Sequence, residues 1–171
     1  MSSKNRRRAR DAPVSQIEEY WKNQIATLGR NVVFVDTGAI LEAHNPSDFN
    51  FRDYFAKTTD RFITSPFVVA ETVRRMVKSN QYEFEGPSGE QFGALAVHFI
   101  RTWLVENRVE VLHIPREVFD LARKTFENKQ NVGCDLVDII SYEIVKGLGQ
   151  DRIASRDRHF SSLGLMLYPS I

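Results

Sequence analysis

The sequence predicts an α/β fold, a three-layer α/β/α sandwich around a central parallel sheet of four or five strands. Three observations carry this. Asn31–Val35 (NVVFV) is an uninterrupted β-branched and aromatic run, the pattern of a strand buried on both faces of a parallel sheet. Short apolar runs recur at Arg61–Thr64, Val109–Ile114, Arg152–Ser155 and Leu165–Tyr168. The stretches between them carry apolar residues at helical spacing, and strands that alternate with helices imply a parallel sheet covered on both sides.

In chain order, residues 14–29 place Ile17, Tyr20, Trp21 and Ile25 on one helical stripe, free to pack on the body or on a partner. After the first strand, Asp36-Thr37-Gly38 forms a turn. A helix through Ala39–Ala43 then ends near Pro46, which biases Asn45 away from helix. Phe49–Lys57 is a second such helix with Ser47 as its cap. Ser65-Pro66 opens a helix over Phe67–Lys78 in the favoured cap-then-proline order. Ser79–Gly89 is the longest loop, and Glu90–Glu106 a helix with Phe92, Leu95, Ala96, Phe99, Ile100 and Trp103 on its core face. Pro115–Asn128 and Cys134–Lys146 complete the helices.

Composition narrows the function. Hydrophobic residues make up 42% and charged residues 26% of the 171, the balance of a soluble globular domain. There is neither a membrane-length apolar run nor a secretory leader, and Cys134 is the sole cysteine, which fits a reducing cytoplasm. Net charge is only +1, but five of the 23 basic residues (Lys4, Arg6, Arg7, Arg8 and Arg10) sit in the first ten positions, where there is no acid. The expected organisation is a basic arm and short helix over 1–30, followed by the α/β domain over 31–171. The arm is either a solvated tail or a source of sequence-independent affinity for RNA phosphates.

Ligands of open α/β sheets bind beyond the carboxyl ends of the strands. Asp36 ends the first strand, Asp157 follows the fourth by two residues, and Glu71 lies one turn into the helix after the second. Asp135 and Asp138 open the helix that precedes the fourth strand. Each has a plain alternative: a cap for Asp36, helix-dipole complementarity for Asp135 and Asp138, pairing of Glu71 with Arg74 or Arg75, and a surface ion pair for Asp157. Jointly, carboxylates at one sheet edge without matching cations call for a hard divalent ion. Oxygen donors suit Mg²⁺ or Mn²⁺, whose bound water is activated for metal-assisted phosphodiester hydrolysis.

The segments VVFVDTGAIL, SPFVVAETV and DLVDIISYEIVKGLGQDRIASRDRHFSSLGLMLYP together resemble the PIN-domain family over about residues 31–169. The resemblance implies that Asp36, Glu71, Asp138 and Asp157 are catalytic. It also implies metal binding by Asp36, Asp138 and Asp157, with Asp135 as an additional acid, and support from the hydroxyls of Thr37 and Ser155. It implies an endoribonuclease that leaves a 5′ phosphate and a 3′ hydroxyl. Many bacterial members are VapC-like toxins of type II toxin–antitoxin pairs, which implies a homodimer and an antitoxin partner. The long stretch from Glu71 to Asp138 and the basic arm depart from the compact toxin form.

Arg74, Arg75, Lys78, Arg156 and Arg158 are candidate contacts to RNA phosphates, or solvated surface. Phe49 and Phe51 are candidates for base stacking. His44, His98 and His113 lack ligand spacing, and Cys134, with no histidine near it in sequence, reads as a small buried residue. A PIN-like scaffold that binds RNA or protein without cutting is the alternative function. A phosphotransferase with Asp36 as nucleophile ranks last, since no second acid or lysine follows it closely.

Overall fold

The computed structural model of the chain describes residues 14–29, 31–45, 49–78, 95–106, 108–128 and 133–170. The basic arm, Ser47, the Ser79–Gly89 loop and the start of the helix predicted from Glu90 lie outside the described residues. In chain order the elements are α1 (Val14–Leu28), β1 (Val32–Val35), α2 (Thr37–Ala43), α3 (Phe49–Lys57), β2 (Arg61–Thr64) and α4 (Pro66–Lys78). A π-helical segment (Ile100–Val105), β3 (Val109–Val111), α5 (Arg116–Asn128), α6 (Leu136–Gly147), β4 (Arg152–Ala154), α7 (Arg158–Ser162) and β5 (Met166–Tyr168) follow.

All four residues of β1 are buried, as its continuous apolar run requires of a central strand. The five strands are all parallel in the order β3-β2-β1-β4-β5, so the predicted three-layer α/β/α sandwich is the architecture found. β1 sets Phe34 opposite Ile63 of β2 on one side and Ile153 of β4 on the other. From β1 the chain winds outward to β2 and β3, then crosses back to β4 and β5, so the order reverses between β1 and β4. The right-handed rule for parallel crossovers puts the helices of two such halves on opposite faces of a sheet.

α1 belongs to the body: Trp21 and Leu28 are buried in the core, and the Tyr20 hydroxyl donates to His113 O at 2.5 Å. Gly147 makes room for Trp21, since a Cβ there would lie 2.1 Å from the indole.

Two expectations change. β3 stops at Val111 instead of Ile114. Leu112 N–H still donates to Thr64 O at 2.9 Å, but Pro115 has no N–H with which to prolong a ladder. Residues 95–99 are helical as predicted, but the helix widens into a π segment in which Glu106 N–H reaches Arg101 O. Phe99 and Trp103 stay buried while Ile100 turns 38% exposed, off the stripe assigned to it.

The amino ends of the strands are tied by ordinary structural bonds. Asp60 accepts from Arg152 Nη1 (3.1 Å), Tyr54 OH (3.1 Å) and Thr58 Oγ1 (2.8 Å). The carboxyl ends are different in kind.

Candidate active site

β1 delivers Asp36 to the point where the strand order reverses, the crevice in which doubly wound sheets hold ligands. Asp36 N–H donates to Ala154 O at 3.0 Å, pinning the turn to the end of β4. The Asp36 side chain caps α2, with Gly38 N–H donating to Oδ2 at 3.3 Å. Ser155 Oγ donates to the same oxygen at 2.9 Å, a bond buried on both sides. Asp36 is therefore a cap, as its plain alternative held, and also a carboxylate only 7% exposed at the sheet edge.

Ser155 serves twice. Its Oγ also accepts from Asp157 N–H at 3.0 Å, which folds the chain after β4 so that Asp157 caps α7 through His159 N–H at 2.8 Å. Asp157 Oδ1 also lies 3.0 Å from His159 Nδ1.

The start of α6 is a reciprocal capping box. Asp138 N–H donates to Asp135 Oδ1 and Asp135 N–H donates to Asp138 Oδ2, each at 2.9 Å. The helix-start reading of these two acids is thus correct as geometry, and it leaves Asp135 exposed and Asp138 half-buried.

Glu71 comes from α4, whose first turn is fixed by Val68 N–H donating to Ser65 Oγ at 3.2 Å. Thr37 Oγ1 donates to Glu71 Oε2 at 3.2 Å, joining α4 to the end of β1. Glu71 Oε1 pairs with Arg75 Nη2 at 2.5 Å, one turn on. The expectation that these acids lack matching cations therefore fails at Glu71, because i, i+4 spacing on α4 stacks the two side chains. It holds at Asp36 and Asp138, which have no basic partner among the described residues.

The electrostatics follow. Burial pushes the Asp36 carboxyl up to about 6, opposed by bonds from Ser155, Thr37 and Gly38 and raised further by the charge of Glu71. Desolvation pushes Asp138 up to about 7, aided by Asp135, Asp36 and Asp157. Acids from four separate segments thus feel one another at one rim, and among the described residues neither Asp36 nor Asp138 has an ion-pair partner. A divalent cation with oxygen ligands is the group this donor set fits.

The PIN domain family model matches residues 33–165, a span that includes all of these acids. The chain belongs to the PIN-domain family. Its fold is similar to that of VapC20 from Mycobacterium tuberculosis, described as a sarcin–ricin loop-cleaving toxin, with a TM-score of 0.62. Identity is 22%, over 78% of this chain and 96% of that one. FitAcB from Neisseria gonorrhoeae is similar with a TM-score of 0.54 and 12% identity, over 80% of this chain and 96% of that one. No curated protein gives a significant match.

Around the PIN pocket the candidate RNA contacts divide. Arg74, Lys78 and Arg158 are exposed, whereas Arg75 is engaged by Glu71. Arg156 lies 3.6 Å from Glu42 and over the Phe51 ring. Phe51 is fully buried, so stacking a base on it is ruled out, and Phe49 remains 61% exposed. His44 is half-buried, lies against Trp103 and bonds Ile40 O through Nδ1 at 2.7 Å.

Cys134 is not the isolated buried residue expected. It is half-buried, and its sulfur, an Asp138 oxygen and a His159 nitrogen lie within 4.8 Å of one another. Sequence distance hid this group, because the 25 positions from Cys134 to His159 fold out along α6 and back through β4.

Proposed function

We propose that this PIN-domain protein is a metal-dependent endoribonuclease that hydrolyses RNA phosphodiester bonds in the pocket of Asp36, Glu71, Asp138 and Asp157. The observation that carries the reading is the pair of aspartates, Asp36 and Asp138, held at the switch point with their acidities pushed toward neutrality and no basic partner among the described residues. Asp36, Asp138 and Asp157 would hold Mg²⁺ or Mn²⁺, with Asp135 at the exposed margin. Such an ion lowers the pKa of bound water and offsets charge developing on the phosphate.

The chain's own residues supply position and charge. Ser155 fixes Asp36 by donating to it and fixes Asp157 by accepting from its N–H, so one hydroxyl sets two of the acids. Thr37 orients Glu71. Glu71 accepts a proton from the attacking water or orients it once Arg75 swings toward the phosphate. Arg74, Lys78, Arg156 and Arg158 bring positive charge to the backbone of the substrate, with Arg75 as a fifth contact.

Membership of the family supports the nuclease, and the sarcin–ricin loop described for VapC20 supports a structured RNA loop as substrate class. The description of that neighbour as a toxin also supports a toxin role; a homodimeric form, an antitoxin partner and a cytoplasmic site of action are proposed with it. No helix among the described residues is long and apolar enough to cross a membrane. The basic arm over 1–30 would add RNA affinity to the nuclease domain over 31–171.

The test is cleavage of end-labelled structured RNAs, transfer RNAs included, with Mn²⁺, Mg²⁺ or EDTA. Metal-dependent cutting that Asp36→Asn abolishes is the expected result. Intact RNA with folded, metal-loaded wild-type protein would replace the nuclease by the binding scaffold.

A further inference from the structure

We propose that Cys134, Asp138 and His159 form a second cation site at the rim of the acidic pocket, selective for a borderline-soft ion such as Zn²⁺, and that filling it switches the pocket off. The donor set is the reason. Thiolate and imidazole with one carboxylate are ligands of zinc, whereas Mg²⁺ and Mn²⁺ take oxygen. Three ligand atoms within 4.8 Å of one another need to close by only about 1 Å to reach the spacing of about 3.5 Å that tetrahedral zinc bonds imply. A water would complete the coordination.

The imidazole is oriented for this. His159 Nδ1 lies 3.0 Å from Asp157 Oδ1, a position that favours the tautomer in which Nδ1–H faces the carboxylate and Nε2 keeps its lone pair. The Nε2 edge faces the loop that carries Cys134: a Cβ at Gly133, one residue earlier, would sit 3.1 Å from that nitrogen. Gly133 has φ +76, and the absence of a side chain lets the loop approach the ring. A carboxylate behind the histidine is the usual arrangement at zinc ligands.

Occupation has a consequence, which rests on the nuclease reading of the pocket. Zinc drawing on Asp138 competes with Mg²⁺ or Mn²⁺ for that carboxylate, and a zinc-bound His159 keeps Asp157 turned toward its Nδ1, 3.0 Å away. The thiol proton leaves to solvent on binding, so affinity rises with pH.

The experiment is calorimetric titration of the full chain with Zn²⁺ in excess Mg²⁺, which occupies oxygen-ligand sites. Parallel Co²⁺ spectra read thiolate coordination, and cleavage assays in Mn²⁺ are run with and without Zn²⁺. Wild type should bind one Zn²⁺ and show a thiolate-to-cobalt charge-transfer band. Changes behind a metal ligand alone cost about 10–100-fold in affinity, so loss of the sulfur in Cys134→Ser should cost at least that and remove the band. His159→Gln should weaken binding similarly, with folding of both variants checked by circular dichroism. Cleavage in Mn²⁺ should be unchanged by Cys134→Ser, while Zn²⁺ should inhibit only the wild type. Equal titrations for wild type and both variants, or a Co²⁺ spectrum without a thiolate band, would overturn the site. Zinc binding as expected with no cleavage under any metal would support the site and overturn the nuclease reading alone.

Discussion

Asp36→Asn should make the metal-free protein more stable while removing its activity. Asp36 is 7% exposed, and its carboxyl, ordinarily at 3.8, is raised to about 6. The native state thus holds the proton more tightly than the unfolded chain. The stability this proton contributes is complete below pH 3.8 and is lost as pH rises through about 6. Above pH 7 the folded protein carries a buried charge whose cost corresponds to about 3 kcal/mol. Asparagine keeps an oxygen for Ser155 and Gly38 but buries an amide N–H₂, which takes back about 1–2 kcal/mol. At about 2–4 °C per kcal/mol for a chain of this size, the net gain of about 1–2 kcal/mol should raise Tm at pH 8 in EDTA by about 2–8 °C. At pH 5, where wild-type Asp36 is protonated, the gain should vanish. Saturating Mn²⁺ should invert the order, since about 100 Kd of ligand stabilises the wild type by about 2.7 kcal/mol and the variant cannot use it. Thermal unfolding followed by circular dichroism at the two pH values, with EDTA or Mn²⁺, reads all of this. An Asp36→Asn protein equally destabilised at pH 5 and pH 8 would refute the reasoning, because the carboxylate would then be a structural cap and nothing more.

Ser155→Ala removes a buried donor to Asp36 and the acceptor of Asp157 N–H. Denaturant titration should show a loss of about 1–3 kcal/mol, and cleavage should fall at least about tenfold, since two acids lose their anchor. Gly147→Ala drives a methyl into the Trp21 indole, and urea unfolding should register a loss of about 1–3 kcal/mol with Mn²⁺ affinity unchanged. Arg75→Ala leaves Glu71 without its counter-ion. Calorimetry should then show tighter Mn²⁺ binding, by about two- to fivefold for an ion pair worth under about 1 kcal/mol, with weaker RNA binding in gel shifts.

The architecture was legible because a parallel sheet writes itself in contiguous apolar runs. NVVFV is buried at every position of β1, and the alternation of strand and helix leaves few topologies. The placement of Asp36 and Asp157 was legible because the rule for open sheets converts a strand end into a location, whereas the choice of Asp138 over Asp135 came from the PIN resemblance. What stayed hidden depends on distances across the fold. Pairing of Arg75 with Glu71 was one of several options in sequence, and only side-chain packing selects it. The outward turn of Ile100 follows from a π segment, a local widening that helical periodicity does not encode. Phe51 reads like Phe49 in sequence, yet one is fully buried and the other 61% exposed. Cys134 and His159 meet because α6 and β4 return the chain to its starting level, a coincidence of element lengths that no motif marks.

Charge compensation inside the pocket is uneven, and that unevenness organises its chemistry. Glu71 brings its own arginine from the next turn of α4, so its carboxylate has a counter-charge without a metal ion. Asp36 and Asp138 have no such partner among the described residues, and burial raises both carboxyls, helped by the charge of Glu71 at Asp36 and of Asp135, Asp36 and Asp157 at Asp138. The demand for a divalent ion therefore falls on the aspartates of β1 and α6, with Asp157 completing their side, and not on the glutamate of α4. The same division leaves Arg75 poised. On the proposed nuclease reading, an RNA phosphate entering beside the aspartate cluster would compete with Glu71, whose side chain is 17% exposed, for the 39% exposed Arg75 guanidinium. On that reading the exchange would free Glu71 as substrate arrives, coupling occupancy of the pocket to the appearance of its proposed base.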